Sequence, residues 1–280
     1  MIADTARPVL DQIVAHKREE VAACRAATPQ ALLAERARSQ PPALDLATLL
    51  RQPGVGLIAE VKRASPSKGF LRLELDPTEL ALAYARGGAG AISVLTDEAF
   101  FQGCLGDLVA VKRRLTEEGY RLPILRKDFI LDSYQVVQSR AHGADTLLLI
   151  AAVLSAAELT GLLALSRELG MEPLVEVHDE SDLEKALLCE PRIIGVNNRD
   201  LRTFHVNPDT TLRLRSRIPQ GTLLVSESGI RGPADVARLA GQVDGVLVGE
   251  ALVTAADPAS AARALVAAGA VHDPDCLIYS

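Results

Sequence analysis

From Gly54 onward, the chain repeats one pattern, in which a short apolar run is followed by a longer amphipathic stretch. Such runs predict strands that are covered on both faces, as in a parallel sheet, and the longer stretches predict the covering helices. Strands are predicted at residues 56–61, 91–95, 123–126, 146–150, 173–177, 193–196, 222–225 and 245–248. Helices are predicted at residues 77–86, 105–118, 133–141, 156–169, 181–188, 208–216, 233–239 and 258–268.

Eight such units predict a (β/α)8 TIM barrel, a fold of the α/β class. A length of 280 residues also suits two ordinary domains, and an open doubly wound sheet is the alternative to a closed one. An open sheet that binds dinucleotides carries a G-x-G-x-x-G string after its first strand, whereas Glu60-Val-Lys62 stands there. We therefore expect one domain, with the barrel at 54–270 and a tail at 271–280.

Residues 1–53 differ from this rhythm and predict a helical N-terminal extension. Apolar residues recur at helical spacing between Val9 and Val21. Thr28 and Pro29 resemble an N-cap and the first position of a second helix, which would run to Arg38. A third short helix is predicted at 44–51.

Composition excludes several classes of function. A net charge of −6 and an aromatic content of 3% argue against a nucleic-acid-binding surface. The four cysteines are widely spaced, which predicts neither a disulfide framework nor a zinc site and favours the cytoplasm. The longest apolar run, at 147–154, is too short to span a bilayer. The acidic composition, without an exposed apolar stripe, is compatible with a monomer.

Polar side chains end several of the predicted strands, where a barrel carries its chemistry. Glu60 and Lys62 are two residues apart and share one face of their strand. A carboxylate beside an ammonium group tunes its pKa, which suits proton transfer. The alternative is an ordinary ion pair at a strand end.

Three further charged residues end later strands. Lys127 suits a general acid, a Schiff-base nucleophile or an anion clamp, with a surface lysine as the alternative. Glu176 lies between two valines, so it faces either the lumen or the helices. A charge that faces the helices is costly unless it is paired, which favours the lumen, and the same argument applies to Glu227.

The loops after the strands add candidate binding residues. Asn197 and Arg199 could hold a carboxylate or a hydroxyl group, with turn formation as the alternative. Glycine-containing turns at 228–231 and 249–251 follow the last two strands, where this fold commonly binds phosphate. The polar segment 63–69 predicts an active-site loop that can close, with a solvated connection as the alternative. His142 and His178 are expected at the surface or at helix ends.

Six strings occur in an order that resembles the indole-3-glycerol phosphate synthase family. They are Ile58-Ala-Glu-Val-Lys-Arg-Ala-Ser-Pro-Ser-Lys-Gly69, Leu95-Thr-Asp-Glu-Ala-Phe-Phe-Gln-Gly103, Pro123-Ile-Leu-Arg-Lys-Asp-Phe-Ile130, Pro173-Leu-Val-Glu176, Gly195-Val-Asn-Asn-Arg-Asp-Leu201 and Ser226-Glu-Ser-Gly-Ile230. Departures at Cys104, 131–133 and 205–207 touch no candidate catalytic position.

The resemblance implies a reaction in tryptophan biosynthesis. The family closes an indole ring on 1-(2-carboxyphenylamino)-1-deoxyribulose 5-phosphate and releases CO2 and water, with neither a metal nor an organic cofactor. By matched position, Lys127 would be the general acid and Glu176 its partner carboxylate. Glu60 and Lys62 would serve the later dehydration.

The same resemblance assigns the remaining positions. Asn197 and Glu227 would orient the substrate. The expected substrate-binding residues are Ser65, Pro66, Phe101, Arg199 and Ser228, and the expected phosphate-binding residues are Gly229, Leu247, Gly249 and Glu250. Two alternatives are a sugar-phosphate isomerase and a barrel that binds a ligand without catalysis. Neither would need both Glu60 with Lys62 and Lys127 with Glu176.

Overall fold

A computed structural model describes residues 9–66, 68–72, 74–200 and 203–270, so the predicted tail at 271–280 and the first eight residues lie outside it. Eight parallel strands follow each other around a closed barrel, in which the first strand also pairs with the last. They are β1 (Gly56–Val61), β2 (Ala91–Leu95), β3 (Ile124–Lys127), β4 (Thr146–Ile150), β5 (Leu174–Val177), β6 (Ile193–Asn197), β7 (Leu223–Glu227) and β8 (Gly245–Val248).

Helices cover the barrel and extend it at the N-terminus. They are α1 (Val9–Ala27), α2 (Gln30–Ser39), α3 (Leu46–Leu50), α4 (Pro77–Arg86), α5 (Glu98–Phe101), α6 (Leu105–Glu117), α7 (Ser133–Ala141), α8 (Ala156–Glu168), α9 (Glu180–Leu187), α10 (Thr210–Arg215), α11 (Pro233–Leu239), α12 (Glu250–Val253) and α13 (Pro258–Gly269), with a 3-10 turn at Ala151–Val153. The predicted TIM barrel is confirmed, and every predicted barrel strand and helix has its counterpart within two residues.

The two faces of each strand differ as the alternation of the sequence predicts. On β1, Leu57 and Ala59 belong to the apolar layer between strands and helices, whereas Ile58 belongs to the apolar cluster inside the barrel. On β5, Val175 and Val177 belong to the outer layer. Side chains that alternate with these residues therefore point into the barrel.

The N-terminal extension closes the end of the barrel at which the strands begin. Leu46 and Leu50 of α3 belong to the cluster inside the barrel. A Cβ atom at Gly245, the first residue of β8, would contact the Leu50 side chain. Glycine at this position leaves room for α3 to pack there.

The second helix starts one residue later than the sequence predicts. Its N-cap is Pro29, with φ −59° and ψ 139°, so the expected N-cap at Thr28 is wrong. The Thr28 carbonyl accepts a hydrogen bond from the Tyr134 hydroxyl of α7 at 3.0 Å. That bond helps to fix the extension against the barrel.

A buried charge cluster attaches α1 to the barrel. The ammonium group of Lys17, fully buried, lies 2.9 Å from Asp97 Oδ2 and 3.0 Å from Asp128 Oδ1. Asp128 follows β3, and its other oxygen lies 2.9 Å from the buried guanidinium of Arg126. The extension is therefore joined to the strand that ends in Lys127. No helix within the described residues is long and apolar enough to cross a membrane.

Candidate active site

A cavity of about 720 Å³ opens at the C-terminal ends of the strands. Every candidate residue from the sequence contributes to its wall. These residues are Glu60, Lys62, Ser65, Pro66, Phe101, Lys127, Glu176, Asn197, Arg199, Glu227, Ser228, Gly229, Leu247, Gly249 and Glu250. The barrel thus brings together residues that span almost two hundred positions of the chain.

Lys127 is held between two carboxylates at the centre of this wall. Its Nζ donates to Glu176 Oε2 of β5 and to Glu227 Oε2 of β7, both at 3.0 Å. The two glutamate side chains are only 2% exposed, against 15% for the lysine. The structure therefore rejects the surface-lysine alternative and confirms that Glu176 faces the lumen.

Burial and charge shift the pKa values of these three groups in different directions. Burial alone would lower the pKa of Lys127, but Glu176 and Glu227 raise it above its usual value. Burial alone would raise the pKa of Glu176, but Lys127 and His178 hold it well below its usual range. Burial, aided by the charge of Glu176, raises the pKa of Glu227 to about 7. At neutral pH the site thus holds an ammonium, a carboxylate and a carboxyl near half-protonation.

Glu60 and Lys62 form a second acid–base pair beside the first. Glu60 Oε1 lies 2.5 Å from Lys62 Nζ, and the two side chains are 4% and 17% exposed. A Cβ atom at Gly249 would overlap this carboxylate. Gly249 therefore lets the loop after β8 approach β1, which explains a glycine there better than turn formation alone.

The expected phosphate corner lies at the ends of β7 and β8. Ser228 and Gly229 both have a left-handed backbone, with φ values of 64° and 83°. The carboxylate of Glu250 lies 3.5 Å from Lys68 Nζ and 3.9 Å from an Arg199 side-chain nitrogen. Its charge is thus compensated by two cations at the rim of the cavity.

The segment 63–69 forms a small structure over this cavity, although residue 67 lies outside the described part of the chain. Ala64 pairs with Phe70 and Ser65 with Gly69 in a short antiparallel ladder. Gly69 has φ 65° and no atom near the position of a Cβ. Phe70, at 60% exposed, projects into solvent.

Sequence reasoning missed one residue beside the site. The expectation of a surface or helix-end histidine is confirmed for His142, which caps the C-terminal end of α7. His178 also lies at a helix end, directly before the N-cap Asp179 of α9, but its side chain is not at the surface. That side chain is 10% exposed, and its Nε2 lies 3.1 Å from Glu176 Oε1. Its position two residues after Glu176 was the available signal. Within the described residues, no cluster of histidine, cysteine and carboxylate side chains could hold a metal ion.

Comparison with known proteins agrees with the geometry. A family model described as indole-3-glycerol phosphate synthase matches residues 10–265. The indole-3-glycerol phosphate synthase of Mycobacterium sp. (strain KMS) is 48% identical over 269 residues, which cover 96% of each chain. That of Rhodococcus jostii (strain RHA1) is 49% identical over 269 residues, covering 96% of this chain and 97% of its own.

Solved structures provide a more distant comparison. The 3-hexulose-6-phosphate synthase from Salmonella typhimurium has a TM-score of 0.60 at 17% identity, over 76% of this chain and 98% of its own. A tryptophan synthase chain from M. tuberculosis has a TM-score of 0.59 at 16% identity, over 81% and 99%. At this identity the likeness shows the barrel fold alone.

Proposed function

Because the chain belongs to the indole-3-glycerol phosphate synthase family, we propose that its buried lysine and glutamates divide the proton transfers of indole formation among them. The chain is a carboxy-lyase of tryptophan biosynthesis. It converts 1-(2-carboxyphenylamino)-1-deoxyribulose 5-phosphate to indole-3-glycerol phosphate. Neither the isomerase nor the binding-only alternative agrees with this membership.

Lys127 is the general acid of ring closure. The ring carbon that bears the carboxylate attacks C2 of the ribulose, and the ketone oxygen gains a negative charge as the bond forms. The ammonium group of Lys127, raised in pKa, is fully protonated at neutral pH. A developing alkoxide is a stronger base than a lysine amine, so the proton transfer is downhill. Glu176 and Glu227 hold the donor in place at 3.0 Å each.

Decarboxylation and dehydration follow ring closure, at the pair of Glu60 and Lys62. CO2 leaves, and its bonding electrons restore the aromatic ring, so the protein needs only to orient the carboxylate. Lys62 supplies a cation for this purpose. The new hydroxyl then leaves as water, which needs a proton donor at the oxygen and a base for a proton on the adjacent carbon. Glu60 and Lys62, 2.5 Å apart, supply both groups.

The remaining wall residues hold the two ends of the substrate. Asn197 and Glu227 orient its reacting centre, and Ser65, Pro66, Phe101, Arg199 and Ser228 bind the anthranilate and ribulose parts. The phosphate binds at the backbone of Gly229, Leu247, Gly249 and Glu250. The left-handed backbone at Gly229 and the start of α12 at Glu250 support this assignment, because helix N-termini and such turns present N–H groups to anions.

The position of Lys127 between two buried carboxylates carries this proposal. The test is incubation of the purified protein with the carboxyphenylamino-deoxyribulose phosphate, with indole fluorescence and CO2 release followed together. One CO2 for each indole is expected. Well-folded protein that releases neither product would refute the assignment.

Three smaller proposals concern the whole chain. We infer that the extension and the barrel unfold as one domain, because α3 contributes to the cluster inside the barrel. We also infer that the protein lies in the cytoplasm, which its widely spaced cysteines favour. The third inference is that the protein is a monomer. In support, the large exposed apolar side chains of the described residues stand on separate elements, at Leu32, Phe70, Val109 and Leu188. Light scattering would test the monomer.

A further inference from the structure

The strongest feature outside the proposed catalytic set is a histidine–carboxylate pair behind Glu176. His178 directly follows β5, and Asp182 lies in the first turn of α9. Asp182 Oδ2 lies 3.2 Å from His178 Nδ1 and accepts the backbone N–H of His178 at 3.3 Å. The backbone N–H of Asp182 is in turn bound by the Asp179 side chain at 2.9 Å. The start of α9 therefore fixes the ring plane of His178.

The other ring nitrogen points at the proposed catalytic carboxylate. His178 Nε2 lies 3.1 Å from Glu176 Oε1, in an ion-pair contact rather than a well-aligned hydrogen bond. Glu176 Oε2 receives the hydrogen bond from Lys127. Each oxygen of one buried carboxylate thus faces a different nitrogen, so the carboxylate has no freedom to rotate without losing one of them.

We propose that His178, clamped by Asp182, is a positioning residue that fixes the carboxylate of Glu176 against Lys127 during ring closure. The proposal rests on the proposed roles of Lys127 and Glu176. A protonated imidazole supplies an N–H to each of its two carboxylates, whereas a neutral one can serve only one of them. The clamp therefore exists in full only while the ring is charged.

The charges around His178 favour that charged form. Glu176 faces it from β5, with Lys127 of β3 and Glu227 of β7 beyond, and α9 contributes Asp182. Lys185 of α9 lies 3.7 Å from the far oxygen of Asp182. Burial alone would lower the pKa of His178, but the neighbouring carboxylates of Asp182 and Glu176 raise it to about 9. The ring is therefore cationic at neutral pH, and its charge is lost as the pH rises through about 9.

The consequence is an alkaline limit on turnover. As His178 loses its proton, Glu176 Oε1 loses its cation, and the Glu176–Lys127 geometry loosens. Misplacement of a reacting group by about 1 Å can cost roughly 100-fold in rate. The pH profile of kcat should therefore fall at high pH, along an alkaline limb. If His178 only tied α9 to β5, its replacement would leave this limb unchanged.

The test compares kcat and KM from about pH 6 to about pH 10.5 in three variants. His178→Gln should lower kcat by about 10- to 100-fold at neutral pH, with a smaller change in KM, and should lack the alkaline limb. Asp182→Asn keeps the shape of the side chain but removes one charge, so it should move the limb to lower pH. His142→Gln removes a helix-end histidine outside the cavity and should leave both parameters at the wild-type values.

The outcomes separate this inference from the proposed function. Wild-type protein without turnover would refute the catalytic assignment itself. Normal wild-type turnover, with an unchanged alkaline limb in His178→Gln, would overturn the role of the histidine alone. If His178→Gln does not fold, Asp182→Asn still decides, because an unmoved limb in that variant overturns the proposal.

Discussion

Replacing Lys17 with methionine should remove a large part of the protein's stability, although Lys17 belongs to the N-terminal extension. Methionine keeps the apolar stem and removes the charge. The ammonium group is fully buried and lies within 3.0 Å of two carboxylates that are themselves 0% exposed. Removing one partner of a buried ion pair costs about 3–5 kcal/mol, because the other charge stays buried without compensation.

The expected loss in the free energy of unfolding can be checked by urea denaturation at neutral pH, and the matching fall in Tm by thermal unfolding. For a chain of this size, about 3–5 kcal/mol corresponds to a fall in Tm on the order of 10 °C. Arg113→Met is the matched control, because its side chain is 74% exposed and its pair with Glu117 is 3.8 Å long. That variant should change the free energy of unfolding by less than about 0.5 kcal/mol.

A double variant and the pH dependence test the cause. Adding Asp97→Asn to Lys17→Met should restore part of the loss, because it removes the carboxylate that has lost its cation. Burial alone would raise the pKa of Asp128, but Arg126 and Lys17 hold it at about 2. Its stabilising effect is therefore present above its unfolded pKa and is lost as the pH falls toward 2. Unfolding of Lys17→Met within about 1 kcal/mol of wild type would refute this reasoning.

Three further predictions concern the cavity. A Cβ atom at Gly195 would overlap Glu227 Oε1, so Gly195→Ala should lower kcat severalfold by displacing that carboxyl. Gly161→Ala, with no atom near its Cβ position, is the control. Equal kcat values for the two variants would contradict the steric argument. Since the folded pKa of Glu227 is raised to about 7 from 4.5, the native state binds the extra proton and stability falls as the pH rises between these values. Glu227→Gln should therefore be more stable than wild type above pH 7, by on the order of 1 kcal/mol in urea, and a less stable variant there would contradict the shift. The same variant should be less active, because Glu227 orients the substrate. Gly69 has φ 65°, which proline cannot adopt, so Gly69→Pro should disturb the short ladder and slow turnover. An unchanged rate would count against closure of loop 63–69.

Local patterning predicted most of the fold because each element carries its own periodic signal. It also predicted the direction of Glu176, since a strand alternates and a charge that faces the helices is costly unless it is paired. The glycines and prolines that punctuate the chain set most boundaries to within two residues. The N-cap at Thr28 failed because proline is accepted at the cap itself, a difference of one residue that sterics do not distinguish.

The partners of buried charges could not be predicted in the same way. Lys127 and Glu227 are one hundred positions apart, and only closure of the barrel brings them to 3.0 Å. Nothing near Lys17 in the chain indicates that its ammonium group contacts Asp97 and Asp128. His178 was misjudged for a similar reason, since its orientation is set by Asp182 of the following helix.

The most direct test of the central claim measures substrate binding and turnover separately in Lys127→Ala. If Lys127 is the general acid of ring closure, kcat should fall by about 100- to 10,000-fold. Titration with the carboxyphenylamino-deoxyribulose phosphate should still give a Kd within about tenfold of the wild-type value, because the phosphate and anthranilate contacts remain. Near-normal turnover, or a loss confined to binding, would contradict the assignment.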